Sequence, residues 1–402
     1  MKGVIAILLI TNLLTASMTG CAGVKGEVVN NRVDPLIGAV KIEKIPTKPE
    51  LVESETIVSN NVADLASEAE KETEVESFNV IDINISRRYL HQEMVEDIKR
   101  LEEAYPCLIK TEVIGQSADN RDIYLVKLGK GDYKSLMLGG VHAREIAATP
   151  LLIKMINEYA KSYYTEGTID GFNAKKLLDK VTLYIVPSVN PDGMEIAVRK
   201  EPGIRDDNLR NNLRGIPGYY VQWKANACGV DLNRNFPNQY WGKVLPGKTK
   251  SNLIHTKPHA EFYGGPYPGS ENETQAIINL FENNDFKIMF DIHSKGRVIF
   301  WYKEAQSQEF NDKNYKIAQA VSKASGYDIL PQHLSTFGEG TDGTTTDFAA
   351  ERGVQCLTIE TVPYSVQFPF TLETILAEWD HVKNIGLVLA QETIKLCEAD
   401  IN

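Results

Sequence analysis

His142 and Glu145 stand three residues apart, directly after an apolar segment that ends in Gly139-Gly140-Val141. At a strand-to-helix turn, this spacing brings an imidazole and a carboxylate to the same side. Zinc commonly binds two histidines and one carboxylate and keeps a fourth position open for water. A His and a Glu at this spacing are also frequent on solvent-exposed helices, so a metal site needs a third ligand from elsewhere in the chain.

His293 is the candidate third ligand, because it follows the apolar segment 288–292. Open α/β sheets bind their ligands at the carboxyl ends of strands. Taken alone, a histidine there is more often a hydrogen-bonded structural residue. His255 and His259 form a competing pair at i and i+4, but Pro258 between them argues against a helix, and we interpret both as loop residues.

Glu360 ends a third apolar segment, 355–360. A glutamate beside zinc and water can take the proton of that water and pass it to a leaving amine. The alternative is a solvated strand end. Asn233 and Arg234 are adjacent in a segment rich in Gly and Asn, where a guanidinium can bind a carboxylate through two parallel hydrogen bonds.

These residues require a sheet that gathers several strand ends, and the apolar pattern predicts one. We expect strands at 111–115, 123–129, 136–141, 181–189, 288–292, 298–302 and 355–360. We expect helices near 90–101, 151–159, 271–283, 311–325 and 371–397. This alternation, with no repeat period, predicts a single α/β domain with a mixed sheet between helices. Residues 199–257 look like a long irregular insertion, and such loops usually build the site.

The N-terminus predicts export. Lys2 and the apolar run 4–14 are typical of a secretory signal, and Met18-Thr19-Gly20-Cys21 resembles a bacterial lipobox, in which the cysteine is lipidated. We therefore expect a signal peptide at 1–20, a lipidated tether at 21–85 and a catalytic domain at 86–402. The protein would be extracytoplasmic and anchored to the cell membrane, with plain secretion as the alternative.

The charge distribution excludes one class of partner. The chain has 43 Lys and Arg against 54 Asp and Glu, a net charge of -11, which argues against binding nucleic acid. Residues 50–76 carry nine acidic residues and one lysine and lack apolar periodicity, so we expect the tether to be disordered. After Cys21 four cysteines remain, and their spacing leaves both disulfides and free thiols open. They are Cys107, Cys228, Cys356 and Cys397.

Together the segments from residue 88 to the C-terminus resemble the zinc carboxypeptidases of the carboxypeptidase A type. The matching segments are 114–117, 121–124, 142–145, 189–193, 231–236, 264–266, 270–274, 292–294 and 358–360. The resemblance implies a three-layer α/β/α sandwich around a mixed, mostly eight-stranded sheet. It also implies one zinc ion per chain, held by His142, Glu145 and His293, with Glu360 promoting attack by water.

The resemblance further implies that Asn233 and Arg234 bind the terminal carboxylate of a substrate. It also implies that Arg144 extends the positively charged surface along which this carboxylate approaches. One residue departs from the family pattern. The family's oxyanion-stabilising arginine follows a tryptophan, whereas here Lys224 follows Trp223. An ammonium can still donate a hydrogen bond to a developing oxyanion, but it is a point charge and lacks the two parallel N–H donors of a guanidinium.

A second departure concerns the family's mobile tyrosine, which lies about twenty residues before the catalytic glutamate. No tyrosine lies between Tyr327 and Glu360, and Phe337 is the aromatic residue nearest to the family's position. A phenyl ring cannot hydrogen-bond a substrate, so the carboxylate clamp would be weaker or supplied from elsewhere.

Residues 223–231 and 293–302 resemble the bacterial branch that includes γ-D-glutamyl-L-diamino acid endopeptidases of cell-wall peptides. We therefore expect a monomeric zinc peptidase that acts on peptidoglycan stem peptides. A broad carboxypeptidase and a lipid-anchored peptide-binding protein without turnover are the alternatives. The polar stretch 341–347 favours the ammonium of a diamino acid over an aromatic side chain.

Overall fold

The computed structural model describes residues 78–86, 88–239, 241, 255–335 and 343–399. The predicted signal peptide, Cys21, most of the tether and Phe337 lie outside the described residues. Within the described part, no helix has both the length and the apolar character needed to cross a membrane.

Ten strands form in the described chain, eight of them in one sheet and two in a separate hairpin. They are β1 Ile109–Gln116, β2 Asp122–Leu128, β3 Tyr133–Gly139, β4 Thr168–Ile169, β5 Phe172–Asn173, β6 Val181–Val186, β7 Phe286–Ser294, β8 Val298–Phe300, β9 Asp328–Ile329 and β10 Gln355–Thr361. The sheet order is β1-β2-β6-β3-β7-β10-β8-β9, and β4 pairs with β5. The central strands β6, β3, β7 and β10 are parallel, whereas β1, β2 and β8 pair antiparallel, so the sheet is mixed.

Helices cover both faces of this sheet. They are α1 His91–Ala104, α2 Ala148–Tyr164, α3 Ala174–Leu178, α4 Pro191–Arg199, α5 Asp207–Leu213, α6 Asn272–Glu282, α7 Gln308–Ser325, α8 Thr345–Ala350, α9 Leu372–Val382 and α10 Ile385–Ala399. Alternate residues of each strand face opposite layers. Met137 of β3 packs with α2 and α10, whereas Leu136 and Leu138 face the layer that contains α6 and α8. The predicted three-layer sandwich with an eight-stranded mixed sheet is confirmed.

The sequence accounts for the ends of several helices. Asn190 caps α4 by accepting a hydrogen bond from the Gly193 N–H at 2.9 Å, and Pro191 occupies the first turn. Ser307 caps α7 in the same way, and Gly326 ends that helix with a φ of 74°.

The C-terminal segment, predicted as one helix over 371–397, is two helices that break at Lys383 and Asn384. The cause is Tyr159 of α2, whose hydroxyl donates to the Lys383 carbonyl at 2.7 Å and accepts from the Gly386 N–H at 3.1 Å. A side chain that inserts between the backbone hydrogen-bonding groups of a helix kinks it. The prediction of a continuous helix is therefore wrong at this point.

Other elements were too short or too irregular to predict. The two residues of β9, the helices α4 and α8, and short helical turns inside 199–257 all fall in this group. The packed chain also begins before the predicted boundary at residue 86, because Phe78 stacks on Tyr164 and Asn157 donates to the Ile81 carbonyl. All four cysteines of the described chain are free thiols.

The order of the central strands positions the site. β7 lies between β3 and β10, and all three run parallel, so their carboxyl ends meet at one edge. In the register, Gly139 pairs with Ile292 and Glu360 pairs with His293. His293 and Glu360 therefore lie side by side, and the turn after Gly139 brings His142 next to them.

Candidate active site

The structure brings the three predicted metal ligands together at this edge. His142, Glu145 and His293 are buried, and one ligand atom from each lies within 4.8 Å of the others. His142 Nδ1 lies 2.8 Å from Glu145 Oε1, and His293 Nδ1 lies 2.9 Å from Glu145 Oε2. The two Nδ1 atoms are 3.1 Å apart. Two imidazole nitrogens and a carboxylate therefore converge on one point.

Each imidazole has a second carboxylate behind it. His142 Nε2 lies 3.3 Å from Asp231 Oδ1, and His293 Nε2 lies 2.9 Å from Asp291 Oδ2. Metal-binding histidines usually donate their other N–H to such a group, which fixes the ring orientation. Asp291 is two residues before His293 on β7 and therefore on the same face of the strand.

The charges of these groups depend on one another. Burial opposes ionisation of Glu145, but the two imidazoles hold its pKa well below the ordinary value. Burial opposes charge on His293 as well, yet Asp291 and Glu145 raise its pKa well above the ordinary value. A metal ion must displace that proton, because it binds neutral imidazole. Metal affinity should therefore rise with pH.

Zinc fits this donor set. Two histidines and one carboxylate are a known set of protein ligands for catalytic zinc. Four buried carboxyl groups, those of Glu145, Asp231, Asp291 and Glu360, lie around the two imidazoles and carry negative charge where they are ionised. A divalent cation at the convergence point would compensate this charge, as buried carboxylates require.

Glu360 lies beside the ligands and is free to act as a base. Its side chain is buried, and its Oε2 has no hydrogen-bond partner among the described residues. Burial is the main cause, and the negative charge of Glu145 the second, of a pKa raised to about 8, while His293 and Lys224 oppose this rise. A carboxylate whose pKa is near neutrality can both accept and return a proton.

Lys224 stands at the same edge. Its carbonyl accepts from the Ala143 N–H at 3.2 Å, which fixes its backbone next to His142, and its Nζ lies 4.9 Å from the centre of the Phe262 ring. Its charge lowers the pKa of both Glu360 and Asp231. This position is compatible with the predicted donation to an oxyanion.

Asn233 and Arg234 lie in a short helical turn, Leu232–Arg234, and are buried. Asn233 Oδ1 accepts from the Thr345 N–H at 3.0 Å, which joins this turn to the start of α8. Arg234 Nη1 donates to the Asn233 carbonyl at 2.6 Å, whereas its buried Nε has no acceptor among the described residues. A buried guanidinium with an unused donor fits the predicted role of binding a substrate carboxylate.

Close contact between two loops holds this turn in place. The Phe236 N–H donates to the Gly343 carbonyl at 3.0 Å. Gly343 has a φ of 88°, and a Cβ at this position would lie 2.5 Å from the Arg234 carbonyl oxygen. Only glycine allows this approach.

Arg144 is half-buried at the rim and already has partners. Its Nη1 donates to the Gln222 side chain at 2.7 Å and lies 3.5 Å from Glu261, and its guanidinium lies 4.8 Å from the centre of the Phe368 ring. Its predicted role in the approach of a substrate stays a prediction.

His255 and His259 do not join the ligand cluster. Their rings stack on each other at 3.5 Å within an irregular loop, in agreement with the interpretation as loop residues. Sequence reasoning assigned no role to Asp231, Asp291 and Thr345. For Asp291 a signal existed, because its i, i+2 spacing to His293 on a strand places both on one face.

The chain belongs to the zinc carboxypeptidase family, whose profile matches residues 94–395. This confirms the family that the sequence segments indicated. Zinc is the metal of this family, and the cluster of His142, Glu145 and His293 is the group that can hold it.

Two relatives are similar to this chain in sequence, and one solved structure is similar to it in fold. It is 29% identical over 260 residues to gamma-D-glutamyl-L-diamino acid endopeptidase 1 of Lysinibacillus sphaericus, covering 64% of this chain and 62% of the relative. It is 27% identical over 274 residues to carboxypeptidase B of Rattus norvegicus, covering 67% and 58%. The match thus spans less than two thirds of each relative. Bovine thrombin-activatable fibrinolysis inhibitor shares the fold, with a TM-score of 0.61 at 21% identity over 77% of this chain and 99% of that chain.

We predict that Arg234→Ala lowers kcat/KM for peptides with a free C-terminal carboxylate by about 100-fold, the loss expected when charged hydrogen bonds disappear. Steady-state hydrolysis by the full-length protein measures this effect, and C-terminally amidated peptides should show a much smaller change. Arg100→Ala, on the surface of α1, is the matched control. Equal rates for Arg234→Ala and the parent on free-acid peptides would remove Arg234 from the site.

Asp291→Asn should weaken zinc binding by about 10- to 100-fold, because the His293 ring loses its orienting carboxylate. Competition with a chromogenic chelator at pH 8 measures the affinity. Asp285→Asn, an exposed residue just before β7, is the control and should match the parent. An Asp291 variant with parental affinity would contradict the assigned orientation of His293.

Proposed function

We propose that this protein is a zinc-dependent peptidase that hydrolyses a peptide bond near a free C-terminal carboxylate. The observation that carries the proposal is the convergence of His142, Glu145 and His293 beside Glu360. Arg234, whose buried Nε has no acceptor among the described residues, lies at the same edge of the sheet. A metal-activated water, a base and an anion-binding group are the parts that such a hydrolysis needs.

In this mechanism each side chain has a separate task. His142, Glu145 and His293 would hold a zinc ion, which would supply polarisation of the scissile carbonyl and acidification of a water molecule. Arg234 and Asn233 hold the terminal carboxylate and so fix the position of the scissile bond. Glu360 takes a proton from the attacking water and then delivers it to the nitrogen of the leaving amine. Lys224 donates a hydrogen bond to the carbonyl oxygen as negative charge develops on it.

For the substrate, we propose stem peptides of peptidoglycan and cleavage of the γ-D-glutamyl-diamino acid bond. Two observations support this choice. The relative from Lysinibacillus sphaericus is named for cleavage at a γ-D-glutamyl-L-diamino acid, and the segments 223–231 and 293–302 resemble the same bacterial branch. The second candidate is a carboxypeptidase that acts on ordinary peptides, which the similarity to carboxypeptidase B favours.

A peptide-binding protein without turnover is the third candidate. The missing tyrosine motivates it, because that residue belongs to the family's substrate clamp. All three ligands and Glu360 are nevertheless present and positioned together. Loss of catalysis usually appears first at such residues, so we disfavour this candidate.

We also propose that the protein acts as a monomer, held at the outer face of the cell membrane by lipid on Cys21. The lipobox-like sequence and the preceding apolar run support the anchor. An enzyme in that position would meet the cell wall directly.

We expect the full-length protein with zinc to release the diamino acid portion from purified muropeptides. Product masses identify the cleaved bond. Glu360→Gln should lower this rate by about 10²- to 10⁴-fold and keep its zinc, because the change removes the base but not a ligand. Metal analysis of the same samples verifies zinc content.

Ordinary C-terminal peptides serve as the comparison substrate. If only these are cleaved, the wall assignment is wrong and the carboxypeptidase candidate stands. If neither substrate is cleaved by the zinc-loaded parent, the protein is a binder and the catalytic proposal fails.

Cys21→Ser should move the protein from the membrane fraction to the medium or to the soluble fraction. Two acyl chains or more are needed for lasting anchorage, and without Cys21 none is attached. Fractionation of a bacterial host followed by immunoblotting measures the shift, with Cys107→Ser as the control. A Cys21→Ser variant that stays membrane-bound would contradict a lipid anchor at this residue.

A further inference from the structure

Lys303 is a buried lysine for which the proposed mechanism has no role. Only 9% of the residue is exposed, and lysine is rarely this buried unless it is paired. Its Nζ donates to Thr346 Oγ1 at 2.5 Å and to Asp347 Oδ1 at 3.0 Å. An ammonium has three N–H donors, so these two acceptors leave one donor that meets no acceptor among the described residues.

The ammonium lies close to the carboxylate-binding groups. Thr346, which it contacts, directly follows Thr345, whose N–H bonds to Asn233. The hydroxyl of Thr345 also donates to Asp291, behind the ligand His293. The start of α8 thus connects the lysine both to the predicted carboxylate clamp and to the metal centre.

The ammonium also lies close to β10, the strand that carries Glu360. Thr346 Oγ1 is 3.4 Å from Thr358 Oγ1 on β10. Thr358 is two residues before Glu360, so both side chains point to the same face, the one that α8 covers. A rise of about 3.3 Å per strand residue puts Thr358 about 7 Å below Glu360. The ammonium of Lys303 is thus linked through Thr346 to the face of β10 that carries Glu360, and through the start of α8 to Asn233, the neighbour of Arg234.

Lys303 is held at both ends, because its backbone bonds to Asn311 and its ammonium bonds to Thr346 and Asp347. The Lys303 N–H donates to Asn311 Oδ1 at 2.7 Å, and Asn311 Nδ2 donates to the Lys303 carbonyl at 3.0 Å. Asn311 itself is fully buried in α7. A charge held this way acts on a substrate without first losing conformational freedom.

We propose that Lys303 binds the side chain of the substrate's C-terminal residue and selects side chains that carry a carboxylate. This inference rests on the proposed peptidase function. Because Lys303 is already paired with Asp347, the selection comes from its third N–H, which a substrate carboxylate can accept and an ammonium cannot. Apolar side chains would leave the third N–H of the ammonium without a partner.

Among wall peptides, Lys303 would discriminate between two kinds of diamino acid. One kind ends in an amino group alone, as lysine does, and the other carries a carboxylate next to its second amino group. The sequence suggested that the polar stretch 341–347 receives an ammonium. In the structure Asp347 is already paired with Lys303, whereas the ammonium of Lys303 keeps one donor for a substrate carboxylate, so we expect the carboxylate-bearing diamino acid to be the better substrate.

The competing explanation is a purely structural ion pair between Lys303 and Asp347 that stabilises α8. The two roles are separable, because Asp347 can be removed while the lysine is kept. Asp347→Asn and the double variant Lys303→Met with Asp347→Asn differ only at Lys303. The double variant also avoids leaving an uncompensated charge buried, which favours its folding.

The experiment compares N-acylated dipeptides that end in Glu, Leu or Lys. The full-length parent and the Asp347→Asn variant should prefer Glu over both others in kcat/KM. In the double variant the ratio of Glu to Leu should fall by at least about tenfold, the loss of one charged hydrogen bond. Lys303→Arg should keep the preference for Glu. Thermal unfolding and zinc content verify that each variant is folded.

Binding supplies a second readout that does not need turnover. Calorimetry with the same dipeptides on the zinc-loaded Glu360→Gln protein should show the highest affinity for the dipeptide that ends in Glu. This preference should be lost when Lys303→Met and Asp347→Asn are both added to Glu360→Gln. If nothing is hydrolysed but this preference persists, the peptidase proposal fails and the role of Lys303 stands. The inference is wrong if the ratio of kcat/KM for the Glu dipeptide to kcat/KM for the Leu dipeptide is the same in Asp347→Asn and in the double variant. It is also wrong if the parent prefers Lys or Leu, or binds none of the dipeptides.

Discussion

Buried negative charge at the ends of three parallel strands is the constraint on which the rest of this molecule depends. Glu145, Asp231, Asp291 and Glu360 lie around two imidazoles at the carboxyl edge of β3, β7 and β10. Carboxylates out of water require hydrogen bonds or cations. Zinc at the centre and the ammonium and guanidinium groups at the periphery supply them.

Much of the surrounding structure holds loops against this edge. Asn233 and Thr345 join the Leu232–Arg234 turn to α8, and Gly343 lets the two backbones approach closely. Polar contacts of α8 thus link the Arg234 turn, the Asp291 carboxylate behind His293 and the ammonium of Lys303.

The apolar segments, together with the rule that ligands bind at the carboxyl ends of strands, were enough to predict the centre of this site. The central strands, His293 and Glu360 all followed from apolar segments that end in a polar residue, and the family resemblance supplied the fold. What the sequence could not predict depends on distant partners. The break at Lys383 is caused by Tyr159, 224 residues earlier, and Lys303 meets Thr346 only because β8 pairs with β10. Such contacts carry no periodic signal in the chain.

The central claim is that two imidazoles and one carboxylate hold a single zinc ion with a position left for water. X-ray absorption at the zinc edge of the purified full-length protein tests it most directly. We expect one zinc per chain with only nitrogen and oxygen neighbours at about 2.0–2.2 Å, and a coordination shell that changes when a carboxylate-bearing peptide analogue is added. A sulfur neighbour near 2.3 Å, or a closed shell that no peptide alters, would contradict it.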